Sequence, residues 1–242
     1  MAELYVVGIG PGGAEGMTHQ ARAALDRAEL LCGYGPYLAL VAPLFPDKEC
    51  FEAGMTREIE RCRRALSLAQ AGRTVALVCS GDAGVYGMAS PVLELLPEYP
   101  GVEVEIVAGV TAALSGAALL GAPLGHDFCV ISLSDLLTPR AVIEKRLRCA
   151  GEGDFSIALY NPASGKRADC LQKACDILLE TRSPDTPCGV ARSVGRAGQT
   201  CRLLTLRALR DEKLDMLSTV FIGSSNTKIV GGRLVTPRGY EL

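Results

Sequence analysis

The 242-residue chain has no tryptophan, only two histidines (His19 and His126), and aromatic side chains at 5% of the total. Its core must therefore be built from aliphatic and small side chains, which the 48% hydrophobic content supplies. Positive charge is not in excess. Twenty-five Lys and Arg stand against 27 Asp and Glu, for a net charge of −2. That excludes broad nucleic-acid binding, which needs clustered cations. There is no block of like charge and no low-complexity tract. The opening Met1-Ala2-Glu3-Leu4-Tyr5 has neither a basic region nor an apolar run behind it, so no signal peptide is expected. The two uncharged runs, 30–46 and 108–125, are broken by glycines and prolines and read as loop and short helix, not as membrane spans. A soluble, cytoplasmic protein is expected.

Ten cysteines are present, and none forms C-x-x-C. Neither histidine lies near a cysteine pair, so no metal site is expected. In a reducing cytosol these thiols act as small hydrophobes. Cys170 and Cys175, on one expected helix, are the pair left over for a cluster.

What is present is organised around residues 75–88. Val75-Ala76-Leu77-Val78-Cys79 is an unbroken apolar run, as in a parallel strand buried on both faces. It breaks into Ser80-Gly81-Asp82-Ala83-Gly84-Val85-Tyr86-Gly87 at the carboxyl end of that strand, where open α/β sheets bind ligands. Asp82 has two readings. It accepts hydrogen bonds from a ligand hydroxyl or amine, or it caps Val85 or Tyr86 in a tight turn.

Around this stretch, strands are expected at 4–9, 29–32, 102–106, 128–133, 155–160, 187–194, 200–205 and 218–222, with a last piece at 233–240. Helices are expected from Thr18 as N-cap, over 56–71, 88–96, from Thr111 as N-cap, from Thr138 as N-cap with Pro139 behind it, and over 167–180. In the 56–71 helix, Ile59, Cys62, Leu66 and Ala69 form the apolar stripe, and Arg57, Glu60, Arg61 and Arg64 form a solvated face. Strands alternate with helices in both halves. An α/β protein of two domains follows, 1–120 and 121–242, divided at the glycine- and proline-rich 120–125.

Gly8, Gly10 and Gly13 match G-x-G-x-x-G, which raises an NAD(P)-dependent oxidoreductase as an alternative. Two features oppose it. The helix starts only after Thr18, so no helix N-terminus waits for a pyrophosphate, and the next strand ends in Gly33-Tyr34 with no acid for a ribose.

The loops together resemble the tetrapyrrole (class III) S-adenosylmethionine methyltransferases. The superfamily resemblance rests on Gly8-Ile9-Gly10-Pro11-Gly12, on 80–87, and on Gly109-Val110-Thr111-Ala112. The segments 120–128, 131–139, Tyr160-Asn161-Pro162 and Thr236-Pro237-Arg238-Gly239-Tyr240 resemble the branch that methylates C17 of precorrin-3B or cobalt-factor III in cobalamin biosynthesis. Sister enzymes acting at C11 or C20 are the alternative within the family. Ala108 stands where proline is usual, Arg140 where tryptophan is common and Ser193 where asparagine often follows the arginine. Ser224-Ser225-Asn226-Thr227 replaces a more usual Asn-Ser-Gln-Thr.

The resemblance implies the tetrapyrrole methylase fold, with the active site in a cleft between two α/β domains. It implies S-adenosyl-L-methionine held by Pro11, Gly81, Asp82, Val85, Thr111, Ala112, Asn161 and the Val190–Ala191 stretch. It implies a polycarboxylate tetrapyrrole as acceptor, for which Arg192 and Arg238 are the first binding candidates and Lys166 and Arg167 the next. Ring contraction coupled to methylation calls for an acid/base partner, and His126, Asp135 and Thr138 are the candidates. A homodimer is implied; no nucleic acid, membrane or metal is.

Overall fold

The structure, a computed structural model, describes residues 2–54, 57–163 and 169–241. The chain divides into two compact units, Met1–Ala112 and Ala113–Leu242.

The first unit holds β1 (Ala2–Gly8), α1 (His19–Arg27), β2 (Leu30–Gly33), α2 (Gly35–Val41), β3 (Glu49–Glu52), α3 (Glu58–Gln70), β4 (Val75–Cys79), α4 (Ala89–Leu95) and β5 (Val102–Val107). All five strands are parallel, in the order β3-β2-β4-β1-β5. The uninterrupted apolar run of β4 thus takes the central position, with all five of its residues buried. Period-2 alternation then sorts the core. Leu4, Val6, Leu30, Val75 and Leu77 meet α3 and α4 on one face, whereas Tyr5, Val7, Leu31, Ala76 and Val78 meet α1 and α2 on the other. Thr18 caps α1 as expected, its hydroxyl accepting from the Ala21 N–H at 3.0 Å.

Helix α3 departs from the expected stripe. Its buried residues are Arg61, Cys62, Ala65, Leu66 and Ala69, while Ile59 is 52% exposed. The packed arc runs through 62, 65, 66 and 69; at 3.6 residues per turn Ile59 falls about 20° past one edge and Arg61 about 40° past the other, so Arg61 is buried by the chain around its guanidinium, which donates to the Ala53 and Gly54 carbonyls, and not by the stripe. Arg61 is therefore not part of the solvated face. Thr56, taken as the helix start, lies outside the described residues. Two further elements, α2 and β3, come from segments in which no element was expected.

The second unit begins within α5 (Ala112–Leu120) and continues through β6 (Gly121–Ala122), β7 (Phe128–Ser132), α6 (Arg140–Glu152), β8 (Ser156–Tyr160), α7 (Cys170–Leu178), β9 (Pro187–Arg192), β10 (Thr200–Thr205), α8 (Leu206–Arg210), β11 (Ser218–Ile222), β12 (Lys228–Val230) and β13 (Arg233–Val235). The sequence division was placed at 120/121. In the structure Ala113, Ala117 and Leu120 of α5 pack with Ala158, Ala191 and Phe221 of the second unit. The main sheet is mixed, in the order β10-β9-β11-β8-β7, with β7 and β8 parallel and the other pairs antiparallel. Strands β7, β8 and β9 consequently run in one direction, and their carboxyl ends share an edge. A small sheet, β12-β13-β6, sits beside it.

Helix α6 starts one residue later than expected. Pro139, not Thr138, holds the cap position (φ −54°, ψ 136°), and no side chain caps the helix. The extended ψ of Pro139 takes it out of the helix that its fixed φ would allow it to begin. Among the described residues no helix is long and apolar enough to cross a membrane.

Candidate active site

In the first unit, three loops leave the carboxyl ends of β1, β4 and β5 and are knitted into one surface. Gly10 and Gly81 exchange both backbone hydrogen bonds, at 3.0 and 2.8 Å. The carboxylate of Asp82 accepts from the N–H of Gly84 (2.8 Å) and Val85 (3.2 Å) through one oxygen. Its other oxygen accepts from the Gly109 N–H at 2.9 Å. The capping reading of Asp82 thus holds for Val85, with Gly84 rather than Tyr86 as second donor. A carboxylate with three backbone donors sets loop geometry as much as it offers acceptors to a ligand.

Glycine is required where these loops touch. A Cβ on Gly8 would lie 2.7 Å from the Gly109 nitrogen and 2.8 Å from the Gly81 oxygen, and a Cβ on Gly109 would collide with the same carbonyl. Gly81 itself has φ +68° and faces Thr111 and Ala112. Gly81, Asp82, Val85, Thr111 and Ala112 are therefore brought together, and the loop carrying Pro11 joins them through the Gly10–Gly81 pair. The Gly8–Gly16 loop turns back on itself, Gly16 lying against Pro11 and Gly12, before α1 begins at His19. The loop does not run straight into the N-terminus of α1, as a dinucleotide-binding glycine loop does, and the surface carries backbone donors and small side chains.

In the second unit, Asn161 follows β8 with φ +54°, and its Nδ2 donates to the Ser132 hydroxyl at the end of β7 (3.0 Å). Tyr160 accepts from the Ala113 N–H at 2.6 Å and so holds the first turn of α5. Ala191 shares the face of Tyr160 and Ala113. Val190, one residue earlier, packs with Leu206 and Val220 on the opposite face. Of the Val190–Ala191 stretch, only Ala191 lies on the face that Tyr160 packs against.

The acid/base candidates are not together. Asp135 and Thr138 follow the carboxyl end of β7, and Asp135 borders a recess of about 100 Å³ with Arg140, Cys170 and Lys173. His126 precedes β7, at the far end of a five-residue strand, about 17 Å away at 3.3 Å per residue. It borders a second recess, of about 200 Å³, with Asp154, Ser224, Thr236 and Pro237, and its Nδ1 accepts from the Asp127 N–H at 2.8 Å.

Arg192 is engaged by Asp215, Nε to Oδ2 at 2.9 Å. Burial pushes the Asp215 carboxyl up, but hydrogen bonds from Arg192 and the Ser218 hydroxyl outweigh it and hold the pKa below the ordinary value. Arg238 is exposed and stacks 5.5 Å from the Tyr240 ring. Lys166 and Arg167 lie outside the described residues. Ser224 is buried in a hydroxyl network, its N–H donating to Thr227 at 2.9 Å while Thr227 and Thr236 meet at 2.8 Å. Among the described residues no group of three or more His, Cys, Asp or Glu could hold a metal ion.

A family profile for the Tetrapyrrole (Corrin/Porphyrin) Methylases matches residues 3–210. The chain belongs to the tetrapyrrole methylases. It is 51% identical over 240 residues, 99% of this chain and 100% of the relative, to a Salmonella typhimurium protein named probable cobalt-factor III C(17)-methyltransferase. It is 43% identical to the cobalt-factor III methyltransferase of Priestia megaterium, matching with 99% of its own length and 45% of that longer protein. The crystal structure of the methyltransferase CobJ superposes with a TM-score of 0.90 at 40% identity, over 97% of this chain and 99% of that one. This tetrapyrrole methylase is thus a methyltransferase with S-adenosyl-L-methionine as donor, and the oxidoreductase alternative falls. The Gly109 amide and the Tyr160 hydroxyl escaped the sequence reading. Both sat inside quoted motifs.

Proposed function

We propose that this chain transfers the methyl group of S-adenosyl-L-methionine to C17 of a cobalt-factor III type tetrapyrrole, with contraction of the macrocycle, in cobalamin biosynthesis. The observation that carries this reading is the 51% identity along 99% of the chain to a relative named for that substrate. The glycine surface of the first unit agrees with it. In this reading Pro11, Gly81, Asp82, Val85, Thr111 and Ala112 bind the donor in the first unit. Asn161 and Ala191 are its donor-binding residues in the second.

S-adenosyl-L-methionine supplies an activated methyl group, so the protein's task is to align donor and acceptor for in-line transfer. Backbone amides and carbonyls grip the nucleoside, and small side chains leave room beside the sulfonium. Asp135 and Thr138, at the same strand edge as Asn161, are the acid/base groups preferred over His126. Arg238 is the preferred carboxylate anchor, because Arg192 is already matched by Asp215. The protein acts as a cytoplasmic homodimer, for which light scattering should give about twice the 25.5 kDa chain mass.

The test is a side-by-side assay with cobalt-factor III and metal-free precorrin-3B under anaerobic conditions. Faster turnover of the cobalt substrate supports the proposal. Preference for precorrin-3B, or methylation at C11 or C20, contradicts it.

A further inference from the structure

Strands β7 and β8 end side by side in the second sheet. Ser132 and Tyr160 are partners on the last rung of their parallel ladder, and the Leu133 N–H donates to the Tyr160 carbonyl at 2.9 Å just beyond it. Successive side chains of a strand point to opposite faces. Ser132 therefore shares the face of Val130, which packs with Tyr160, Ala113 and Ala191, while Ile131 between them joins the opposite core. At this end the Ser132 hydroxyl accepts from two donors, the Ser134 N–H at 3.2 Å and Asn161 Nδ2 at 3.0 Å.

These two bonds decide what Asn161 offers. A hydroxyl oxygen has two lone pairs, and here both face N–H groups. The amide nitrogen is committed, and the planar amide turns its carbonyl Oδ1 the other way. Among the described residues, the unpartnered side-chain polar atoms shut off from solvent are Arg61 Nε and Arg182 Nε. Asn161 is half-buried, and its Oδ1, which receives no donor from the described residues, is open to solvent. The backbone adds a second sign. Asn161 sits at φ +54°, a conformation that glycine takes without steric cost and other residues rarely adopt. The turn itself needs no side chain there, and a residue held in such strain by its surroundings is typical of a ligand contact.

We infer that Ser132 is a positioning residue for the methyl donor: it locks the Asn161 amide with its acceptor outward, and that oxygen receives the exocyclic amine of the adenine. This rests on the reading above that Asn161 binds the donor in the second unit. A neutral carbonyl suits a neutral N–H donor, whereas the ammonium of the methionine end would keep its charge unmatched there. An unrestrained asparagine pairs with adenine through both of its amide atoms. With Nδ2 held on Ser132, Asn161 reads the amine alone. A base carrying a carbonyl in place of that amine would set two acceptors against each other. Asn161 makes the contact and Ser132 acts through it. No covalent step is involved.

The test uses the full chain and two probes, adenosylhomocysteine and S-inosylhomocysteine, in which a carbonyl replaces the amine. Wild type, Ser132→Ala, Ser132→Thr and Asn161→Gly are titrated with each by calorimetry. Wild type should prefer adenosylhomocysteine by about 10-fold or more, the worth of a hydrogen bond exchanged for a repulsion. Ser132→Ala frees the amide to turn and offer Nδ2 to the inosine carbonyl, so the preference should shrink to about 3-fold or less. Ser132→Thr restores the hydroxyl with a residue suited to a strand end and should recover the preference. Asn161→Gly keeps the turn and should lose the preference as well. A merely structural role would weaken both probes alike and leave their ratio unmoved. A ratio unchanged in Ser132→Ala but collapsed in Asn161→Gly overturns the role of Ser132. A ratio unchanged in both, or a wild type without the preference, overturns the adenine contact. Wild type that ignores adenosylhomocysteine altogether overturns the donor reading instead, and the C17 assignment is judged separately, by the position of the transferred methyl group.

Discussion

The Asp82 carboxylate accepts a hydrogen bond from the Gly109 amide at 2.9 Å, joining the loop after β4 to the loop after β5. Its other oxygen holds its own loop closed through Gly84 and Val85. Asp82→Asn places an N–H₂ group against one of these N–H donors. The variant should lose about 1 kcal/mol of stability, the worth of one hydrogen bond at a half-buried site. It should also bind adenosylhomocysteine more weakly, because Gly81 and Thr111 lose their common brace. Urea unfolding and calorimetric titration check the two effects. Unaltered stability would show that the carboxylate does not brace the loops.

Gly109→Ala tests the contact itself. Its Cβ would run into the carbonyls of Gly81 and Gly8, neither of which can rotate away. A loss of more than about 2 kcal/mol is expected, with donor binding abolished in what still folds. Gly54→Ala, whose Cβ meets nothing within 4 Å, should cost less than about 1 kcal/mol. Equal effects from the two substitutions would contradict the close approach of the three loops.

Ser193 has φ +52° and is buried. Asparagine tolerates this region far better than serine. Ser193→Asn should therefore stabilise the protein by about 0.5–1 kcal/mol, seen as a higher urea midpoint at constant slope. A lowered midpoint would mean that the pocket around residue 193 cannot hold the larger side chain.

Burial pushes the thiols of Cys32, Cys79 and Cys175 up to about 12 and those of Cys62 and Cys129 up to about 11, from an ordinary 9.0. The sign follows from proton uptake. Below pH 9 folded and unfolded thiols are alike, and the contribution is fully present. Above it only the unfolded chain ionises, so stability falls by about 1.4 kcal/mol per thiol per pH unit until the folded thiol also ionises. The urea midpoint should drop sharply between pH 8 and pH 10, and Cys175→Ala should show a shallower drop. A midpoint flat across that range would contradict the burial of these thiols. At pH 8 a thiol reagent should reach the exposed Cys50, Cys149 and Cys201 first.

Elements set by local pattern were legible in the sequence. Strand β4 declared itself by five apolar residues, β10 and β11 had the expected bounds, and Thr18 announced α1. The edge strand β3 did not, because its Glu-Cys-Phe-Glu carries no alternation and three of its four residues are exposed. Helix α2 was hidden in a run where glycine and proline suggested only loop. In the site, the glycine loops were legible because close backbone contact restricts those positions to one residue type. The opposite placement of His126 and Asn161 was not. It depends on which end of a strand each loop leaves, and the two ends of β7 look alike in a linear sequence. The burial of Arg61 was also invisible, since α3 places it one step outside a regular apolar stripe.

The central claim is tested most directly by supplying S-adenosylmethionine labelled with carbon-13 in its methyl group, together with cobalt-factor III, and locating the label by NMR. The account predicts a single labelled methyl on C17 of a ring-contracted product. Label at C11 or C20, or no transfer from an enzyme that binds adenosylhomocysteine, would contradict it.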